Sequence, residues 1–143
     1  MTDVVVEKIL TEQFLSIGAP YIRTATVDGE VVYTNVSLPN RSFERPLGMW
    51  FEVWFIPSNP NQVEIGTSGR SRWTGIMQIN ICYPKGAGTD GPDMVFDAIS
   101  KAFVRSDIVG GVRIKSVYRS SARIADDYYS VPVSVSWEAD LDR

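Results

Sequence analysis

The chain has 143 residues, 14 basic against 17 acidic, and a net charge of -3. That length suits one domain able to bury about two-thirds of its unfolded surface. With 44% apolar and 22% charged residues, the balance is globular and argues against disorder, collagen-like repeats and coiled coil. The slight acidic excess gives no support to a generic nucleic-acid binder. There is no histidine, which removes Ser-His-Asp and Cys-His catalysis, histidine metal sites and the commonest general base near neutral pH. One cysteine, Cys82, excludes an internal disulfide and any multi-cysteine metal site. No apolar run approaches a membrane span, and Asp3 and Glu7 interrupt the N-terminal apolar stretch, so the chain is expected to be cytoplasmic and soluble.

The first predicted element is a helix, with Val6, Ile9, Leu10, Phe14 and Ile17 on one stripe and Gly18 and Pro20 as its stop. Asp28-Gly29 then signals a hairpin turn between Tyr21–Val27 and Glu30–Val36. A long polar connection from Pro39 to Gly48 follows, of a length usually functional or mobile. Trp50 to Ile56 reads as a strand apolar on both faces, to be covered by the protein's own helices or by another subunit. Gln62–Thr67 can form a short strand before the Gly66–Gly69 turn. The next strand puts Trp73, Gly75, Met77, Ile79, Ile81 and Tyr83 on one face, with Thr74, Gln78 and Asn80 opposite. After a glycine-rich loop, Pro92 opens a second helix that buries Val95, Ala98, Ile99 and Ala102. Val112, Ile114 and Tyr118 alternate with Arg113 and Lys115 in a later strand. The last strand sets Tyr129, Val131, Val133, Val135 and Trp137 against serines, and Pro132 within it implies an edge strand or one awaiting a partner. The order predicts an α+β fold over residues 1–143: a mixed or antiparallel sheet of about four to six strands with an N-terminal and a central helix packed on it.

Motifs that could carry chemistry are few. Gly86-Ala87-Gly88-Thr89-Asp90-Gly91 matches G-x-G-x-x-G between a strand and a helix, the place of a dinucleotide loop. The preceding strand is amphipathic, the chain lacks repeated βαβ units, and Asp90 would repel a pyrophosphate, so a tight connection is the better reading. Gly69-Arg70-Ser71-Arg72 reads as a hairpin tip whose arginine forks suit a phosphate, a carboxylate or a partner. Arg105, Arg113, Lys115, Arg119 and Arg123 make the later half locally basic, best read as a solvated face. Asp126 and Asp127 are adjacent on an extended segment and diverge; Asp93 and Asp97 complement a helix N-terminus. No catalytic, metal or cofactor site is predicted. Trp50, Trp54, Trp73 and Trp137 are core or inter-subunit anchors; as a buried anchor, Trp54→Ala is expected to cost about 3–5 kcal/mol.

Taken in order, Tyr33–Pro39, Trp50–Pro57, Arg72–Ile79, Tyr83–Gly88 and Tyr129–Trp137 resemble the tail-terminator (tail-completion) proteins of long-tailed, non-contractile bacteriophages. The series covers most of the chain from about residue 5 onward, and none of its strings is a catalytic signature. The resemblance implies a structural virion protein that assembles into a homo-hexameric ring, caps the tail tube and ends its polymerisation. The implied partners are further copies of itself, the tail tube protein and the head–tail connector or completion protein; no membrane is involved, and DNA is only cargo passing through the ring. Its implied location is the virion tail, with assembly in the host cytoplasm. A head-to-tail ring needs two different complementary patches, and the expected contacts are Arg41, Arg45, Arg70, Arg72, Trp50, Trp54 and Pro132. Two alternatives remain open: another neck or head–tail joining protein, and a small nucleotide- or ligand-binding domain built on the Gly86–Gly91 loop.

Overall fold

The computed structural model describes residues 3–18, 21–39, 43–44, 46, 48–57, 61–62, 71–85, 90–104, 108–109, 111–125 and 127–141. Helix α1 (Asp3–Leu15) is followed by β1 (Thr24–Val27), β2 (Glu30–Tyr33), β3 (Val36–Ser37), β4 (Trp50–Pro57), β5 (Asn61–Gln62) and β6 (Ser71–Pro84). Helix α2 (Asp90–Val104) precedes β7 (Ile108–Val109), β8 (Val112–Arg119), β9 (Arg123–Ala125) and β10 (Tyr128–Leu141). This is the α+β order expected from the sequence, richer in short strands. The main sheet runs β3-β4-β6-β10-β8-β7, with β5 beside β6 and β9 beside β10. Its pairs are antiparallel except β3 with β4.

The centre of the sheet is one long antiparallel ribbon. β6 and β10 pair over all 14 residues of each, from Tyr128 opposite Pro84 to Leu141 opposite Ser71. Strand alternation sends Met77, Ile79 and Ile81 of β6 and Val133 and Val135 of β10 to one face, where all five are fully buried. Both helices cover that face. Val6, Leu10 and Phe14 form the fully buried stripe of α1, and Val95, Ile99 and Phe103 that of α2. Phe14 meets Phe51 of β4 edge-on at 5.3 Å between ring centres. The Gln13 amide donates to the Ala102 carbonyl at 2.6 Å, tying α1 to the last turn of α2. Gly18, at φ +64°, closes α1 where the helix stop was expected. Against Trp137 the ribbon carries glycine: a Cβ on Gly75 would lie 2.6 Å from the indole.

Three sequence expectations are corrected. β10 is central, not an edge, because β6 flanks one side and β8 and β9 the other. Pro132 is tolerated there because its neighbouring strand is interrupted: β8 ends opposite Val133, β9 begins opposite Ser130, and the Pro132 carbonyl accepts the Ser120 N–H. Backbone N and O of one strand residue point to the same side, so the missing donor faces that gap. Tyr118 does not share a face with Val112 and Ile114. Lys115 is an extra residue between Ser116, opposite Ser136, and Ile114, opposite Trp137; this bulge reverses the alternation and turns Tyr118 outward. Arg72 is not at a hairpin tip; it lies within β6, opposite Asp140 and Asn61.

Candidate assembly surface

Among the described residues no helix packs on the second face of the main sheet. Its residues follow from register. β4 contributes Trp50, Glu52, Trp54 and Ile56; β6 contributes Arg72, Thr74, Ile76, Gln78, Asn80 and Cys82; β10 contributes its serines, Pro132 and Glu138. The two tryptophans of β4 have different fates. Trp50 is 3% exposed, packs edge-on against Tyr128 at 4.8 Å and stands opposite the buried Cys82 in register. Trp54 is 54% exposed, so the expectation of a buried anchor does not hold for the protomer. Beside it Ile56 is 48% exposed and stands directly opposite Ile76, making a contiguous apolar patch at the β4 margin. Toward the middle the face turns polar, with the Gln78 amide donating to Asn80 at 3.0 Å and Ser134 nearly buried.

On the β8 side, Arg113 Nε donates to Glu138 Oε1 at 2.8 Å. This bond, reinforced by the charges of Arg113, Arg72 and Lys115, holds the Glu138 carboxyl below its usual range, against a smaller upward push from burial. Arg119 pairs with Asp93 of α2 and lies over the Phe96 ring, while Asp97 pairs with Lys101. These aspartates are thus held by cations of the same molecule. Cys82 is buried at the sheet, in agreement with a packing role.

The hairpin legible at Asp28-Gly29 forms a separate two-stranded arm. Its turn residues have φ of 51° and 80°, the left-handed pair that suits a two-residue turn in a twisted ribbon. All eight strand residues are exposed, and Val27, Val31 and Val32 are 53, 64 and 38% exposed. Asn35 locks the foot. Buried at 2% exposure, it accepts the Arg23 N–H at 2.9 Å and donates to the Tyr21 carbonyl at 2.8 Å; its own carbonyl accepts the Phe51 N–H at 2.8 Å. One side chain therefore pins the incoming strand of the arm to the outgoing one, and its backbone fixes both to β4. Between the arm's foot, α1 and β4 lies an open groove of about 450 Å³, lined by Lys8, Glu12, Leu15, Tyr33, Leu38 and Phe55.

Of the residues predicted as contacts, Arg41, Arg45 and Arg70 lie outside the described residues, as do Gly86–Thr89 of the glycine loop. Trp54 is on the open face, Arg72 is half-buried on it, and Trp50 and Pro132 are buried in it. Neither Asn35 as a clamp nor Tyr118 as an outward residue was legible from local sequence pattern. The first requires the arm's three-dimensional foot, and the second depends on the bulge. Among the described residues no cluster of three or more metal-capable side chains occurs, and no helix is long and apolar enough to cross a membrane. The surface offers aromatic, aliphatic and paired-charge contacts, the materials of a protein interface.

Comparison with known proteins agrees with this reading. No curated protein matches the chain. A solved structure whose name carries no statement of function matches with a TM-score of 0.67 at 18% identity, over 98% of this chain and 94% of that one, which establishes the shared fold. The family model described as phage tail terminator protein matches residues 17–137. Spanning the arm, the open sheet face and both margins, that match places the chain in the phage tail terminator family, a family of structural tail proteins.

Proposed function

We propose that this chain, acting as one terminator unit over residues 1–143, forms a homo-hexameric ring that caps the tail tube. The ring ends tube polymerisation and presents the tail-side surface for head attachment. The observation that carries this reading is the exposed Trp54–Ile56 pair, continued by half-buried Ile76, on a sheet face that bears no helix among the described residues, in a member of a tail terminator family. Apolar patches of this kind are covered by partners in assembled proteins. The partners are neighbouring copies, the tail tube protein and the head–tail connector, with DNA passing through the ring as cargo. The role requires neither an active site nor a cofactor. Assembly takes place in the host cytoplasm, and the product stays in the virion tail. Trp54 is the ring contact; Trp50 and Pro132 shape the sheet beneath it; Arg41, Arg45, Arg70 and Arg72 are polar contacts to the adjoining rings.

The test is electron microscopy of particles from a phage lacking this gene. Headless tubes of excessive, uncontrolled length are expected. Tails of normal, uniform length that fail to join heads would reassign the protein to head joining, and intact infectious virions would overturn the structural reading.

A further inference from the structure

The arm and the far margin of the sheet are complementary, and they sit at opposite ends of the strand order. The arm's foot is bonded to β4, at the β3–β4 margin. At the other margin, β8 is paired by β7 only at Val112 and Arg113, so Ile114 to Arg119 present an outer backbone edge with no strand partner among the described residues. The outer edge of β9 is likewise unpaired among them. Two different patches on opposite margins are what a closed head-to-tail ring demands.

The chemistry matches as well. The arm makes no substantial contact with the rest of the described protein beyond its foot, and an isolated two-stranded hairpin with exposed valines is marginal in water unless something packs on it. Its tip carries two exposed acids, Asp28 and Glu30. The opposite margin carries exposed Lys115 and, three residues on along β8, Tyr118 at 47% exposure; exposed Arg123 and Ile124 follow further along, on β9. Lys115 sits at the β-bulge, a device that discourages indiscriminate strand addition at an edge while favouring an acidic strand over a neutral one. The Asn35 clamp holds the arm projecting before any partner arrives, which lowers the entropy lost on docking.

We propose that the β1–β2 arm of one copy docks along the β8 edge of the next, with its acidic tip, Asp28 and Glu30, facing Lys115 and the arm valine Val31 covering Tyr118. This rests on the ring reading above and specifies its interface.

The experiment uses two full-length variants mixed on purified tail tubes, Val31→Cys in one and Tyr118→Cys in the other. Cys82 is buried and stays as the background. A disulfide-linked heterodimer is expected from the mixture, and a ladder of linked species from the chain carrying both changes. Asp28→Lys with Glu30→Lys is expected to reduce ring formation at least about tenfold, and Lys115→Glu in the same chain to restore much of it. Wild-type rings without the cross-link, or charge reversal without effect on them, would overturn the arm assignment and leave the ring reading standing. Absence of wild-type rings on tubes would overturn both.

Discussion

Two antiparallel hydrogen-bonded pairs in this molecule obey opposite rules. β6 and β10 run 14 residues each, bury one face under both helices and hold the centre of the sheet. β1 and β2 run four residues each and bury nothing. The first pair is stabilised by its own core. The second is held at its foot, through Asn35 and the Thr34 N–H bonded to the Arg23 carbonyl, and its valines remain in water. The contrast separates apolar residues that serve the protomer's fold from apolar residues that it leaves in water.

Mutations can break or sharpen that contrast. The largest effect is expected in the core: Phe51→Ala removes a fully buried ring packed on Phe14 and should cost about 3–5 kcal/mol, read as a lowered denaturation midpoint. Gly75→Ala forces a Cβ into the Trp137 indole and should cost about 1–3 kcal/mol by the same measurement. Asn35→Ala strands the Arg23 N–H and the Tyr21 carbonyl, for about 1–3 kcal/mol. Its distinguishing readout is hydrogen exchange. Amides of residues 24–33 should exchange faster while those of the β6–β10 ribbon keep their protection; equal loosening of both would deny the clamp its local role.

A smaller effect concerns pH. Because the Glu138 carboxyl is held below its usual range in the folded protein, its contribution is complete above the ordinary carboxylate range and is lost as pH falls through the lowered folded value. Arg113→Met should flatten that part of the stability profile, by no more than about 1 kcal/mol for a partly exposed pair. The smallest folding effects belong to the exposed residues proposed as contacts. Trp54→Ala and Val31→Ser should shift stability by only about 0.5 kcal/mol, while ring formation on tail tubes falls. A loss of several kcal/mol for Trp54→Ala would mean that this tryptophan serves the fold after all.

Much of the fold was legible because its signals are local. The α1 stripe of Val6, Leu10 and Phe14 and the β6 alternation from Trp73 to Tyr83 both repeat with the period of their element, and Asp28-Gly29 names its own turn. What was not legible depends on neighbours distant in sequence. Pro132 signals an edge only if the adjacent strand is continuous, and here β8 gives way to β9 beside it. Tyr118 follows the alternation of Val112 and Ile114 until one inserted residue reverses it. Trp54 and Trp50 are chemically alike and two pleats apart on one face, yet only Trp50 has Tyr128 to cover it. As for the site, the apolar excess of the 50–56 strand was visible, but which side chains stay in water was not.

The β6–β10 ribbon also has a mechanical consequence. Fourteen residues of extended chain span about 46 Å, comparable to the whole width of a domain this size. Cross-strand bonds in an antiparallel pair stand perpendicular to the strands. Tension along the ribbon therefore loads those bonds together in shear, whereas tension across it would open them one after another. A protomer oriented with this ribbon along the direction of pull behaves as a stiff tie rod, and the same protomer turned sideways would unzip.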